Sequence, residues 1–177
     1  MRADCSLITK ENINGLLLKS GFDRDLGLLS IDVDGVDYWL LGALSAYRPR
    51  ILVVEYNAIF GAERLISVPY DPAFVRRRKH YSDLYFGASL AAFAHQANLM
   101  GYSLVGTGTA GVNAFFVRND VLGSRPGLSV ADGFTETRIR QSRNRAGHLD
   151  YLSLEESRAA IRGLPVVNVE TGAMELF

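Results

Sequence analysis

Cysteine is almost missing from this chain: Cys5 is the only one in 177 residues. That excludes an internal disulfide framework and suits a reducing, cytoplasmic compartment. Cys5 also has no histidine partner in its sequence context, so nothing marks it as a nucleophile. An excess of charge of either sign is missing too. The 19 Lys and Arg balance 19 Asp and Glu, which leaves no global field to draw in nucleic acid or an anionic membrane. No apolar run approaches the roughly 20 residues of a membrane span. The opening Met-Arg-Ala-Asp-Cys lacks a signal-peptide core. Arg138, Arg140, Arg143 and Arg145 have no aromatic residues between them for base stacking. Neither a repeat nor a low-complexity tract is found. A cytoplasmic protein without nucleic-acid or membrane partners is expected.

What the chain does have is apolar content. At 48% hydrophobic it can fill one real core, while two full domains would be a tight fit. Thr9 as N-cap, an apolar stripe at Ile13, Leu16, Leu17 and Leu18, and Gly21 as C-cap predict a first helix. A strand over 28–33, a helix from Asp37 to Tyr47 and a continuous aliphatic strand over 51–56 follow. Residues 58–82 read as a long loop carrying the basic run Arg76-Arg77-Arg78-Lys79, either solvated or attracting an anionic substrate. A helix over 87–100 and a hairpin of strands at 102–105 and 112–117 complete a core of residues 1–120. The remainder, 121–177, reads as an extension with one short helix, capped by the Ser153/Glu156 box, and a small strand and turn over 165–172. This order predicts an α/β fold with a mostly parallel sheet and an antiparallel terminal hairpin.

The chemistry gathers at two strand ends. Leu28-Leu29-Ser30-Ile31 runs into Asp32-Val33-Asp34-Gly35, and Ile51-Leu52-Val53-Val54 runs into Glu55-Tyr56-Asn57. In a strand, residues i and i+2 share a face, so Asp32 and Asp34 are expected side by side. Open α/β sheets bind ligands beyond such carboxyl ends. Asp32, Asp34, Glu55 and Asn57 therefore form the candidate site, with His80 arriving from the loop. As an oxygen-rich set, Asp34, Glu55 and Asn57 suit Mg²⁺. Alternatively one carboxylate serves as general base, its pKa raised by its neighbours, or the acids simply cap the turns that follow. His95 and His148 are read as structural.

Several stretches resemble one family. Leu-Leu-Ser-Ile-Asp-Val-Asp-Gly-Val-Asp-Tyr-Trp (28–39) is similar to the fourth-strand motif of class I S-adenosylmethionine-dependent methyltransferases, above all the FkbM-like branch. Val-Val-Glu-Tyr-Asn (53–57) resembles that group's fifth strand. Gly87-Ala88-Ser89-Leu90, 101–106 and 112–118 resemble its final helix and terminal hairpin. The resemblance covers roughly residues 6–120 and implies the C-terminal half of such an enzyme. It implies a partial Rossmann-like sheet with helices on both faces, and S-adenosylmethionine as cofactor near Asp34 and Gly35. It also implies O-methyl transfer to a small-molecule or sugar hydroxyl. The family holds its donor chiefly through a first strand with a glycine-rich turn, and no such motif precedes residue 28. Gly106–Gly111 joins two strands instead of opening a helix, unlike a nucleoside- or phosphate-binding loop.

Two functions follow from different classes: a methyltransferase, or a non-catalytic module derived from one. Without a first strand beside it, the 28–33 strand has an open backbone edge. A homo-oligomer, or a partner covering that edge, is expected in either case.

Overall fold

Alternation along the strand Ile51–Glu55, β2, divides the molecule into a filled side and an open one. Leu52 and Val54 are fully buried, whereas Ile51, Val53 and Glu55 keep part of their surface. The computed structural model describes residues 3–177. β2 pairs in parallel with β1 (Leu28–Ile31) and antiparallel with β5 (Asn113–Arg118). β4 (Tyr102–Thr107) lies beyond β5, giving the order β1-β2-β5-β4.

The fold is α/β, and its main sheet is mixed. The expected hairpin is present, but β5 inserts between β2 and β4 and makes both of its ladders antiparallel. β1–β2 is the one parallel ladder, yet β4, antiparallel to β5, runs in the direction of β1 and β2, so three of the four strands share a direction and β5 is the reversed member of the expected hairpin. Helices α2 (Asp37–Ala43) and α4 (Leu90–Leu99) fill one face. Leu40 and Leu41 of α2 and Leu90 and Phe93 of α4 pack with Leu52, Val54, Ala114 and Phe116, all fully buried. Each such side chain contributes about 2 kcal/mol of transfer free energy. On the opposite face Ser30 is exposed, Val53 is half-buried and Phe115 keeps 37% of its surface. The expected helices on both faces are thus replaced by one filled face. Helix α1 (Ile13–Ser20) joins the same core through Ile13 and Leu17 and ends at Gly21 in the left-handed region.

Residues 58–86 and the C-terminal region build a second core together. The stretch expected as loop holds a 3-10 turn (Ala58–Phe60), β3 (Ile66–Ser67) and α3 (Arg76–Lys79). The region after 120, expected with one short helix and a small strand, holds α5 (Val130–Gly133) and α6 (Leu154–Ile161). It also supplies β6 (Pro165–Asn168) and β7 (Met174–Leu176). The order β3-β6-β7 forms a small antiparallel sheet. Ile66 and Val68 pack against Ile161 and Val166, all of them buried. The capping box of α6 is formed as expected. No helix among the described residues is long and apolar enough to cross a membrane.

One buried carboxylate decides where β1 stops. Asp37, 1% exposed, accepts from Val33 N at 2.9 Å and from Gly35 N at 3.0 Å. This clamp curls the chain out of the strand two residues earlier than expected and leaves Asp34 at a φ of 57°. Asp32 and Asp34 therefore do not share a strand face. Asp37→Ala orphans both N–H groups, at a cost of about 2–3 kcal/mol. A melting temperature lowered by several degrees is the expected result. An unchanged melting curve would remove the clamp from the account.

Candidate functional site

Glu55 is the last residue of β2, in register with Asn113 of β5, and alternation aims it at the open face. A strap, residues 134–143, crosses beside this strand end. Tyr56 Oη donates to the Thr135 carbonyl at 2.6 Å, and Arg138 N donates to the Ala110 carbonyl at 2.9 Å. Beside the strap lies a cavity of about 150 Å³ lined by Glu55, Arg76, Phe86, Thr137 and Gln141, among others. It adjoins a larger one of about 680 Å³, lined by Asp34, Phe74, Arg76, Arg77, Asp83 and Arg143 among others. Arg76 and Gln141 line both.

The electrostatics single out Glu55. Burial, helped by the negative charge of Asp32, pushes its carboxyl up to about 7, while Arg76 pulls the other way. Its Oε2 is buried and has no hydrogen-bond partner among the described residues. A carboxylate half protonated near neutrality, on a residue that lines a cavity, has the properties of a general base.

Arg76 is held on three sides. Its guanidinium carbon sits 3.6 Å from the centre of the Phe86 ring, its Nε donates to the Asp83 carbonyl, and its Nη1 donates to Asp34 Oδ1 at 3.2 Å. Asp83 Oδ2 accepts from Arg77 Nη2 at 3.0 Å and from Arg143 Nε at 3.1 Å, so one carboxylate ties α3 to the strap. Asp83 Oδ1 is the other buried, unpartnered side-chain oxygen. Asp34 and Asp83 are two of the three non-glycine residues with positive φ among those described. Backbone strain of this kind collects at functional sites.

No protein-family model, curated protein or solved structure matches this chain.

The remaining sequence candidates fall into place around this geometry. Asp32 is exposed and acts on Glu55 through its charge. Asn57 is fully engaged. Its Nδ2 donates to the Leu84 and Phe86 carbonyls, both at 3.0 Å, and its Oδ1 accepts from Ile59 N at 3.1 Å. It fastens the 3-10 turn to the loop behind it. With Asn57 spent in this way and Asp34 turned to Arg76, the oxygen set expected for Mg²⁺ does not fit a metal. No group of three or more His, Cys, Asp or Glu among the described residues is arranged to hold one. Gly35 is glycine for packing: a Cβ there would stand 2.2 Å from Phe74 Cδ1. Its carbonyl accepts from Gly87 N, and its N–H goes to Asp37. His80 lines neither cavity. Its Nδ1 lies 2.7 Å from Ser82 Oγ and its ring rests on Tyr81, while burial and Arg145 hold its pKa down. Asp83, Gln141 and Arg143 were not among the sequence candidates. The local signal they leave is polar residues in stretches without periodicity.

Proposed function

We propose that the cleft at the end of β2 is the acceptor side of a methyltransferase-like site, with Glu55 as general base toward a small-molecule or sugar hydroxyl. One observation carries this reading: Glu55, whose carboxyl is desolvated and whose Oε2 is buried without a hydrogen-bond partner, lines a cavity at a strand's carboxyl end. A hydroxyl seated in the cavity beside the Glu55 carboxyl gives up its proton there, and the buried site keeps water from competing. Thr137 and Gln141 of the strap orient it, and Arg76 steadies the carboxylate once charged. The sequence resemblance, together with the parallel β1–β2 pair and the hairpin beyond it, supports the methyltransferase assignment. The same resemblance and the lone exposed Cys5 support a cytoplasmic location.

S-adenosylmethionine would supply an electrophilic methyl group. The residues assigned to it do not form a cradle, because Phe74 fills the space at Gly35 and Arg76 holds Asp34. A second reading rests on β1, which stands at the end of the sheet beside an apolar groove lined by Ile13, Leu17, Leu29 and Ile31. Under that reading the chain is an assembly module, and a second copy or a partner covers the edge.

Isothermal titration of the full chain with S-adenosylhomocysteine, run alongside a measurement of its association state, separates the two. Binding near micromolar, about −8 kcal/mol, is the result expected of the enzyme, with the donor site completed across β1. No heat from a concentrated sample would overturn the methyl-transfer reading. A stable oligomer under those conditions would then favour the assembly module.

A further inference from the structure

The larger cavity carries chemistry that the general base does not use. Three guanidinium groups, those of Arg76, Arg77 and Arg143, face it together with the two carboxylates of Asp34 and Asp83, a surplus of one positive charge. They come from α3 and from the strap, more than 60 residues apart in sequence, and they are fixed before any ligand arrives. Asp83 Oδ2 anchors Arg77 and Arg143, while the Phe86 ring and the Asp83 carbonyl anchor Arg76. Such anchoring uses only part of each fork. A guanidinium has five donors, and planar forks held at fixed positions match the oxygens of phosphate and carboxylate. The strained backbone of Asp83 adds a further sign of a built site.

We infer that the larger cavity is an anion subsite, in which Arg76, Arg77 and Arg143 bind a phosphate or carboxylate group carried by the cleft's ligand. This rests on the proposed site in one respect: Arg76 lines both cavities, so the anionic end sits beside the hydroxyl end at Glu55. The ligand is then an acidic hydroxyl compound, and neutral hydroxyl compounds of the same size bind weakly. Glu55 lines only the smaller cavity, and Arg76, which lines both, lies within electrostatic reach of it.

The test needs neither donor nor turnover, so its failure is distinct from failure of the methyl-transfer reading. The full chain is titrated with inorganic phosphate and, separately, with malonate, at constant ionic strength against chloride, with amide and arginine side-chain shifts as readout. Saturable binding in the millimolar range is expected, with shifts centred on Arg77, Asp83 and Arg143. The stronger of the two probes identifies the group the ligand carries. Arg77→Gln, at a side chain 65% exposed, leaves the fold intact and weakens binding about tenfold. Arg143→Gln does the same where the strap stays folded, and Glu55→Gln leaves anion affinity unchanged. No saturation by either probe, or equal affinity in wild type and Arg77→Gln, would overturn the subsite.

Discussion

Glu55→Gln is expected to make the protein more stable than wild type above neutral pH and to flatten its pH dependence. The carboxyl has an ordinary value of 4.5 and stands at about 7 in the folded chain. A folded-state pKa above the unfolded one means that the native state holds the proton more tightly. The contribution is fully present below about 4.5 and is lost as pH rises through about 7, on the order of 3 kcal/mol in all. Asp37 acts in the same direction over a lower window, between its ordinary 3.8 and its folded value of about 6. The variant therefore keeps the fall that Asp37 causes and loses the later one. Denaturant melts from about pH 4 to about pH 8 read both steps. A side-chain carboxyl titration by NMR reads the midpoint of Glu55 directly. Parallel stability curves for wild type and variant would show that Glu55 is solvated and ordinary. If the proposed transfer is assayed, the same variant should lose about 100-fold or more of it, with wild-type activity rising as Glu55 ionises. A residue whose removal stabilises the fold while abolishing activity is kept for its chemistry.

Local signals in the sequence translated well into structure. Gly21, the Ser153/Glu156 box and the short connection between β4 and β5 each act within a few residues, and all three appear where the sequence places them. The place of Glu55 at the end of an aliphatic strand was legible in the same way, while its desolvation depends on distant segments such as Arg76 and Gln141 that line the cavity with it. The failures share another physics. Asp32-Val33-Asp34 looks like a strand end, yet Asp37 removes two backbone donors from the extended chain. Asn57 has the right type for a ligand, and nothing local reveals that loop carbonyls of Leu84 and Phe86 consume its amide. The small strand at 165–168 was readable, but β3 is two residues long, too short to show any alternation, so their pairing into a second sheet could not be read. The arginine run at 76–78 was visible, but its partner Asp83 and the arrival of Arg143 depend on tertiary contacts.

Gly111→Ala should be the most damaging small substitution in the chain, and its damage should centre on the strap. Gly111 has a φ of 70°, a conformation that costs an alanine about 1–2 kcal/mol by itself. A Cβ there would also meet Glu136 O at 2.2 Å, Glu136 C at 2.5 Å and Thr137 Cα at 2.7 Å. All three are backbone atoms and cannot swing aside as a side chain would. Residues 136 and 137 must move away, and the bond from Arg138 N to the Ala110 carbonyl breaks with them. A total loss of about 3 kcal/mol or more is expected. The ladders of the main sheet do not include that bond and stay paired. Trypsin should therefore cut first at Arg138 and Arg140, before global unfolding. With the strap displaced, Glu55 regains water and its carboxyl should titrate nearer the ordinary 4.5. Gly21→Ala separates the two causes, because Gly21 has a φ of 74° but nothing within 4 Å of the added Cβ. That control should show the conformational cost alone and leave Glu55 unmoved. If Gly111→Ala is no worse than Gly21→Ala, the strap is not pressed against the hairpin and the cleft has no fixed wall. If the two variants differ as expected, the contact that closes the cleft also sets the pKa of its base.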